Sequence, residues 1–118
     1  MKAVTNGYCY EYKCAELLRK HGFSKVSITK SSGDQGVDII AYANGKKYAI
    51  QCKFYSSPVG NSAIQEVYAG AKFYNCDVAA VITNSTFTPA AVALANATGV
   101  LLWPNDNVPI QMPLHHSL

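Results

Sequence analysis

The chain is expected to form one α/β domain built on a mixed sheet with helices on both faces. Three observations carry this. Asn44-Gly45 sits between two alternating runs and marks an antiparallel hairpin, because a type I′ turn needs positive φ at both central residues. Asp77 to Thr83, DVAAVIT, is nearly all apolar, as in a strand buried on both faces by parallel pairing. Segments with helical spacing lie on either side of that strand and supply the crossovers that parallel strands require.

Composition fits this class. The 118 residues are 49% hydrophobic and 14% charged, which describes a globular chain rather than a disordered one. The net charge of +3 permits a nucleic-acid partner without arguing for one. No apolar run has membrane-spanning length and no secretory h-region opens the chain, so a cytoplasmic protein without a membrane partner is expected. The four cysteines form no CxxC pair, and the three histidines add no zinc spacing. Cys14, Cys52 and Cys76 lie in apolar contexts and read as reduced core thiols.

The elements follow in order. Residues 7–21 carry Tyr10, Cys14, Leu17 and Leu18 at helical spacing, with Gly22 as the stop and Glu16–Lys20 as an outer i,i+4 pair. Glu11 shares the inward edge with Cys14, Ala15 and Leu18, where a half-buried carboxylate needs a cation or a donor. Otherwise it only flanks the stripe and favours the helix dipole. Lys25–Thr29 alternates as a first strand. Lys30, Ser31, Ser32 and Gly33 make a polar, basic loop suited to phosphate, or an ordinary turn. Asp34, between Gly33 and Gly36, either stabilises that turn or reaches metal or DNA. After the hairpin, Ser56-Ser57-Pro58 breaks the strand. Residues 61–74 form a helix with Ile64, Val67, Tyr68 and Ala71 buried, and with Asn61 or Ser62 as cap. Glu66 suits the helix dipole there, while Gln65 is placed to face a groove. Thr88-Pro89 opens a helix over 89–97 that stops at Gly99, and Val100–Trp103 is a short last strand. Residues 104–118 hold three prolines and no period, so the domain is taken as 1–103 with a loop or arm behind it, and His115-His116 as a solvated pair.

The hairpin is where chemistry gathers. With Asn44-Gly45 as the loop, Tyr42 faces Lys47, Ile40 faces Ala49 and Asp38 faces Gln51. Alternation then puts Asp38, Gln51 and Lys53 on one face, opposed Cβ atoms roughly 5 Å apart, and Tyr48, Ile50, Cys52 and Phe54 on the other. A solvated face carrying a structural Asp–Lys pair would show the same pattern. The sharper reading is a Mg²⁺ site, since that ion takes hard oxygen ligands and needs only one or two carboxylates beside substrate phosphate. Asp38 would anchor it, with the Gln51 amide oxygen and the Cys52 carbonyl beside it. Lys53 would orient or deprotonate water, or stabilise phosphate charge. A neutral Gln leaves use for a second acid, and Glu11 is the candidate.

These residues carry a resemblance. GYCYEYKCAELLRKHGF, SSGDQGVDIIAY, KYAIQCKFYSSPVGNSAIQEV and VITNSTFTPAA followed by GVLLW, in this order and spacing, resemble the Mrr-type restriction endonuclease catalytic domain of the PD-(D/E)XK nuclease superfamily. The likeness spans nearly all of residues 7–103. It implies a restriction-endonuclease-like α-β-β-β-α-β core with mixed sheet and flanking helices, plus a further helix and short strand. It implies Mg²⁺-dependent hydrolysis of DNA phosphodiester bonds, with Mn²⁺ able to substitute and no nucleotide cofactor. Asp38 matches the family's metal-binding acid, Gln51 and Lys53 its QxK element, and Glu11 the acid of its first helix. Val37 stands where the superfamily usually has proline, and Gln51 where it usually has an acid. Lys30, Ser31, Ser32, Asp34, Tyr55, Gln65, Asn84 and Ser85 are candidate DNA contacts, and methylated or branched DNA are candidate substrates. One site per chain implies a homodimer for double-strand cutting. A junction- or flap-specific repair nuclease, a binding module without cleavage and a structural subunit are the competing readings.

Overall fold

The computed structural model describes residues 7–29 and 36–110, with residues 7–9 described by their backbone alone. Lys30, Ser31, Ser32, Asp34 and the His115-His116 pair lie outside the described residues. The elements are α1 (Gly7–Lys20), β1 (Ser24–Ile28), β2 (Ile39–Ala43), β3 (Lys46–Lys53), α2 (Asn61–Phe73), β4 (Val78–Thr83), α3 (Pro89–Thr98), β5 (Leu101–Trp103) and a short 3-10 turn, Pro104–Asp106. The strands form one sheet in the order β1-β2-β3-β4-β5. β1–β2 and β2–β3 are antiparallel, and β3–β4 and β4–β5 are parallel. This is the mixed α/β sheet expected from the sequence.

The hairpin register is the expected one, running from Ala43 opposite Lys46 to Ile39 opposite Ile50. Asn44 and Gly45 take φ of 53° and 76°, as the type I′ turn requires. β1 begins one residue earlier than the sequence reading and carries a register shift between Ser24 and Ser27, where Lys25 has φ 50°. A bulge of this kind twists an edge strand away from further pairing.

Alternation divides the apolar residues between two layers. On one face α1 lays Tyr10, Cys14 and Leu18 over Ile39, Ala41, Ile50, Ala80 and Ile82. On the other, α2 and α3 lay Ala63, Ile64, Val67, Ala91 and Ala95 over Val37, Ala49, Ala79 and Val81. Burying one such isoleucine or leucine contributes roughly 1.5–3 kcal/mol, so the two layers hold the sheet that the site is built on. Thr88 caps α3 as expected, its Oγ1 accepting from the Ala91 N–H at 3.1 Å.

Four details differ from the sequence reading. The N-cap of α2 is Gly60, with no side-chain cap bond, and Asn61 is already helical. Glu66 therefore sits in the second turn, beyond the reach of the helix dipole. Tyr68 is 39% exposed, with the Lys72 ammonium 5.2 Å from its ring centroid, because it lies just off the stripe that Ile64 and Val67 bury. Glu16 pairs with Arg19 at 2.9 Å rather than with Lys20. Residues 104–108 pack as part of the body. The Tyr10 hydroxyl donates to Asp106 Oδ1, Lys13 Nζ is 3.3 Å from Asp106 Oδ2, and Val108 joins the α1-face core. Among the described residues no helix is long and apolar enough to cross a membrane.

Candidate active site

The hairpin face that carries Asp38, Gln51 and Lys53 is the face covered by α2, and at their end of the sheet the covering stops short. It leaves a cleft of about 540 Å³ lined by Gly36, Asp38, Gln51, Cys52, Lys53 and Glu66. The structure thus brings together four of the expected site residues, Asp38, Gln51, Cys52 and Lys53.

Asp38 stands one residue before β2 and is gripped by both neighbouring strands. Its N–H donates to the Ile50 carbonyl at 2.9 Å, and its own carbonyl accepts from the Thr29 N–H at 2.9 Å. Its Oδ2 accepts from the Cys52 N–H at 2.7 Å, the length of a charge-assisted bond. The carboxylate is therefore aimed by the strand that also presents Gln51 and Lys53.

Gln51 is only 3% exposed. Its Nε2 donates to the Gly36 carbonyl at 2.9 Å and to Glu66 Oε1 at 3.3 Å. Those two partners only accept, so the amide orientation follows from chemistry. Oε1 is the atom left over, and it is buried with no hydrogen-bond partner among the described residues. Leaving such an acceptor unmet costs about 1–3 kcal/mol. Gly36 makes the arrangement possible. Its φ is +79°, and a Cβ there would lie 2.7 Å from the Glu66 carbonyl oxygen, so the chain presses against the backbone of α2 as only glycine can.

Lys53 points its Nζ to within 3.9 Å of Glu66 Oε1 and 5.8 Å of the Tyr55 ring centroid. Its side chain is 25% exposed, against 54% for Glu66. Glu66 was read from sequence only as a dipole partner, yet it touches both Gln51 and Lys53. Its neighbours one helical turn away, Ser62, Ala63, Ala69 and Gly70, are all small, which lets α2 approach the sheet beside it.

Glu11 does not line the cleft. It is half-buried on α1, on the opposite side of the sheet, where its charge acts on Cys52. Burial, then the adjoining Cys14 thiol, then the charges of Asp38 and Glu11 push the Cys52 thiol well above its ordinary range. Cys14, Cys52 and Cys76 are free thiols.

The candidate DNA contacts separate. Asn84 exchanges two hydrogen bonds with the Tyr55 backbone, its Oδ1 accepting at 2.8 Å and its Nδ2 donating at 2.9 Å. Ser85 donates through Oγ to the Ser57 carbonyl at 2.9 Å. These two residues tie the loop after β3 to the loop after β4. The Tyr55 side chain remains 40% exposed at the mouth, and Gln65 is exposed on α2 without lining the cleft.

The donor set suits a hard cation. Among the described residues no three His, Cys, Asp or Glu side chains form a metal cage. What the cleft offers is the Asp38 carboxylate and the unmet Gln51 amide oxygen, the ligand types that Mg²⁺ or Mn²⁺ accepts when waters and substrate complete the shell.

Comparison with known proteins bears on the family and the fold. The family model Mrr_cat, described as Restriction endonuclease, matches residues 4–108. An uncharacterized protein of Archaeoglobus fulgidus is 29% identical over 96 residues, covering 75% of this chain and 55% of that protein. The crystal structure of AF1548, described as a protein of unknown function, superposes with a TM-score of 0.70 at 27% identity, over 84% of this chain and 58% of the other. The DNA modification-dependent restriction endonuclease AspBHI gives 0.70 at 18% identity, over 86% and 30%. A repair endonuclease from Pyrococcus abyssi gives 0.60 at 11% identity, over 93% and 50%. At such identities the last two establish a shared fold. The chain spans little more than half the length of the Archaeoglobus relative it matches.

Proposed function

Because this chain belongs to the restriction endonuclease family, we propose that it is the catalytic domain of a metal-dependent DNA endonuclease of the Mrr-like, type IV class, hydrolysing phosphodiester bonds. The observation that carries the reading is the buried Gln51 amide oxygen, unmet by any donor among the described residues, on a residue that lines the same cleft as Asp38. A protein keeps such an oxygen against its cost of about 1–3 kcal/mol when something outside the chain satisfies it.

In this reading Asp38, Gln51 Oε1 and the Cys52 carbonyl hold Mg²⁺, with Mn²⁺ able to substitute. When bound, the cation supplies Lewis-acid stabilisation of the phosphodiester under attack. Asp38 is already aimed by the Cys52 N–H and the two strands beside it, so it enters the reaction without reorganising. Gln51 is locked through Gly36 with its nitrogen already engaged, so its oxygen is the atom left to meet a cation. Lys53 stands on the cleft wall, where its ammonium holds a phosphate oxygen as charge develops. The Tyr55 ring at the mouth gives an exposed surface for a base or sugar. Each chain carries one such cleft, so cutting both strands would use two copies.

The test is nicking of supercoiled plasmid with Mg²⁺ or Mn²⁺ by the native chain, Asp38→Ala and Lys53→Ala, each checked for folding by circular dichroism. Metal-dependent nicking by the native chain, reduced at least about a hundredfold in both variants, is expected. Nicking that persists in both would refute the assignment of this cleft. Methylated and branched duplexes run in parallel then rank the substrates.

A further inference from the structure

We propose that Glu66 is the second carboxylate of the cation site, delivered from α2 to stand in for the acid that β3 lacks at position 51. The inference rests on the nuclease reading above and assigns a residue that the hairpin by itself does not contain.

Charge is the first argument. Among the described residues, the acids and bases that line the cleft besides Glu66 are one of each, Asp38 and Lys53. The dehydration of a divalent cation has to be offset by negative oxygen. Glu66 adds a second carboxylate beside Gln51, the position where the strand carries a neutral amide.

Position is the second. Glu66 Oε1 accepts from Gln51 Nε2 at 3.3 Å, so the carboxylate and the buried amide belong to one hydrogen-bonded group. The same amide leaves its Oε1 unmet, at a residue 97% buried, and that atom is an independent sign that the group is completed by something electropositive. Lys53 Nζ lies 3.9 Å from the same Glu66 oxygen, at the outer limit of an ion pair. At that distance and with 54% of its side chain exposed, the carboxylate is steered by the ion pair and stays accessible to solvent and ions.

The alternative acid is less well placed. Glu11 lies on the α1 side of the sheet, where its charge falls on the Cys52 thiol, and it does not line the cleft. The arrangement makes chemical sense as an exchange. A glutamine at position 51 can donate to Gly36 and so pin the loop before Asp38, which a carboxylate at that position cannot do. The charge forgone on the strand is then returned from the helix.

The experiment measures Mn²⁺ binding to the full chain by calorimetry and by the loss of free-ion paramagnetic resonance signal, for the native protein, Glu66→Gln, and the double variant Gln51→Glu/Glu66→Gln. Glu66→Gln keeps an acceptor for Gln51 Nε2 and removes only the charge, so a merely structural role would leave binding unmoved. Expected is affinity weaker by about 10- to 100-fold in Glu66→Gln, with partial recovery in the double variant, which regains the charge but loses the Gly36 bond. Native Mn²⁺ binding that is unchanged in Glu66→Gln overturns the assignment of Glu66 while leaving the nuclease reading intact. A native chain that neither binds Mn²⁺ nor nicks DNA overturns both.

Discussion

Replacing Gly36 with alanine tests the packing on which the site depends. Two costs add at this position. A left-handed backbone costs a residue with a Cβ about 1–2 kcal/mol, and Gly36 has φ +79°. The new Cβ would also lie 2.7 Å from the Glu66 carbonyl oxygen and 3.0 Å from its carbon, atoms of helical backbone that cannot rotate away. Relieving that contact means moving the chain off α2, an overpacking cost of about 1–3 kcal/mol. The expected loss is therefore about 2–5 kcal/mol. Gly45→Ala is the internal control, because Gly45 has a similar φ of +76° but nothing within 4 Å of its Cβ position, so only the backbone cost of about 1–2 kcal/mol applies. Urea unfolding followed by circular dichroism reads the difference, with a slope of about 2 kcal/mol per molar placing the Gly36→Ala midpoint about 1–2.5 M below native. Since the same movement draws the Gly36 carbonyl from Gln51, Mn²⁺ binding should weaken in Gly36→Ala and stay native in Gly45→Ala. Equal destabilisation by the two substitutions would refute the reasoning.

Three further outcomes are expected. Asn84→Ala should cost about 1–2 kcal/mol in urea unfolding, from the two bonds that tie it to Tyr55, while DNA affinity of the folded protein stays native; weakened DNA binding by a variant that is still folded would show that Asn84 meets DNA instead. Thr88→Ala removes the α3 cap and should lower stability by about 1 kcal/mol in the same assay, leaving nicking unchanged. Burial holds the Tyr48 and Tyr10 phenols above their ordinary value of 10.0, Tyr10 further aided by its bond to Asp106. The unfolded chain therefore releases those protons first, and stability is full below pH 10 and falls as pH rises beyond it. Urea midpoints at pH 8 and pH 11 should show this, and the fall should shrink in Tyr48→Phe.

How much of this was legible depended on how local each determinant is. The hairpin register came from two residues, because a type I′ turn at Asn44-Gly45 leaves one pairing and the pairing assigns every side chain to a face. Asp38, Gln51 and Lys53 could be gathered on that basis alone, as could the buried run at β4 and the Thr88 cap. Glu66 could not, because its arrival depends on the roll of α2 against the sheet, set by small residues and by the close approach at Gly36. The role of Asn84 was hidden for the same reason, since the partner that uses its amide is the backbone of Tyr55, 29 positions away. Residues 104–108 read as a tail because prolines erase periodicity, yet Asp106 receives the Tyr10 hydroxyl across 96 positions of sequence.

Cys52 serves the two layers with different parts of itself. Its N–H aims the Asp38 carboxylate in the cleft, while its thiol lies with Cys14 among the residues that α1 packs onto the far side of the sheet. One residue cannot shift for one layer and stay still for the other. A methylene gained or lost at Cys14 would thus be transmitted as a tilt of the Asp38 carboxylate across the sheet. Under the proposed function, selection acting on cleavage would then preserve the composition of a core outside the cleft, and turnover would register damage in that core before unfolding does.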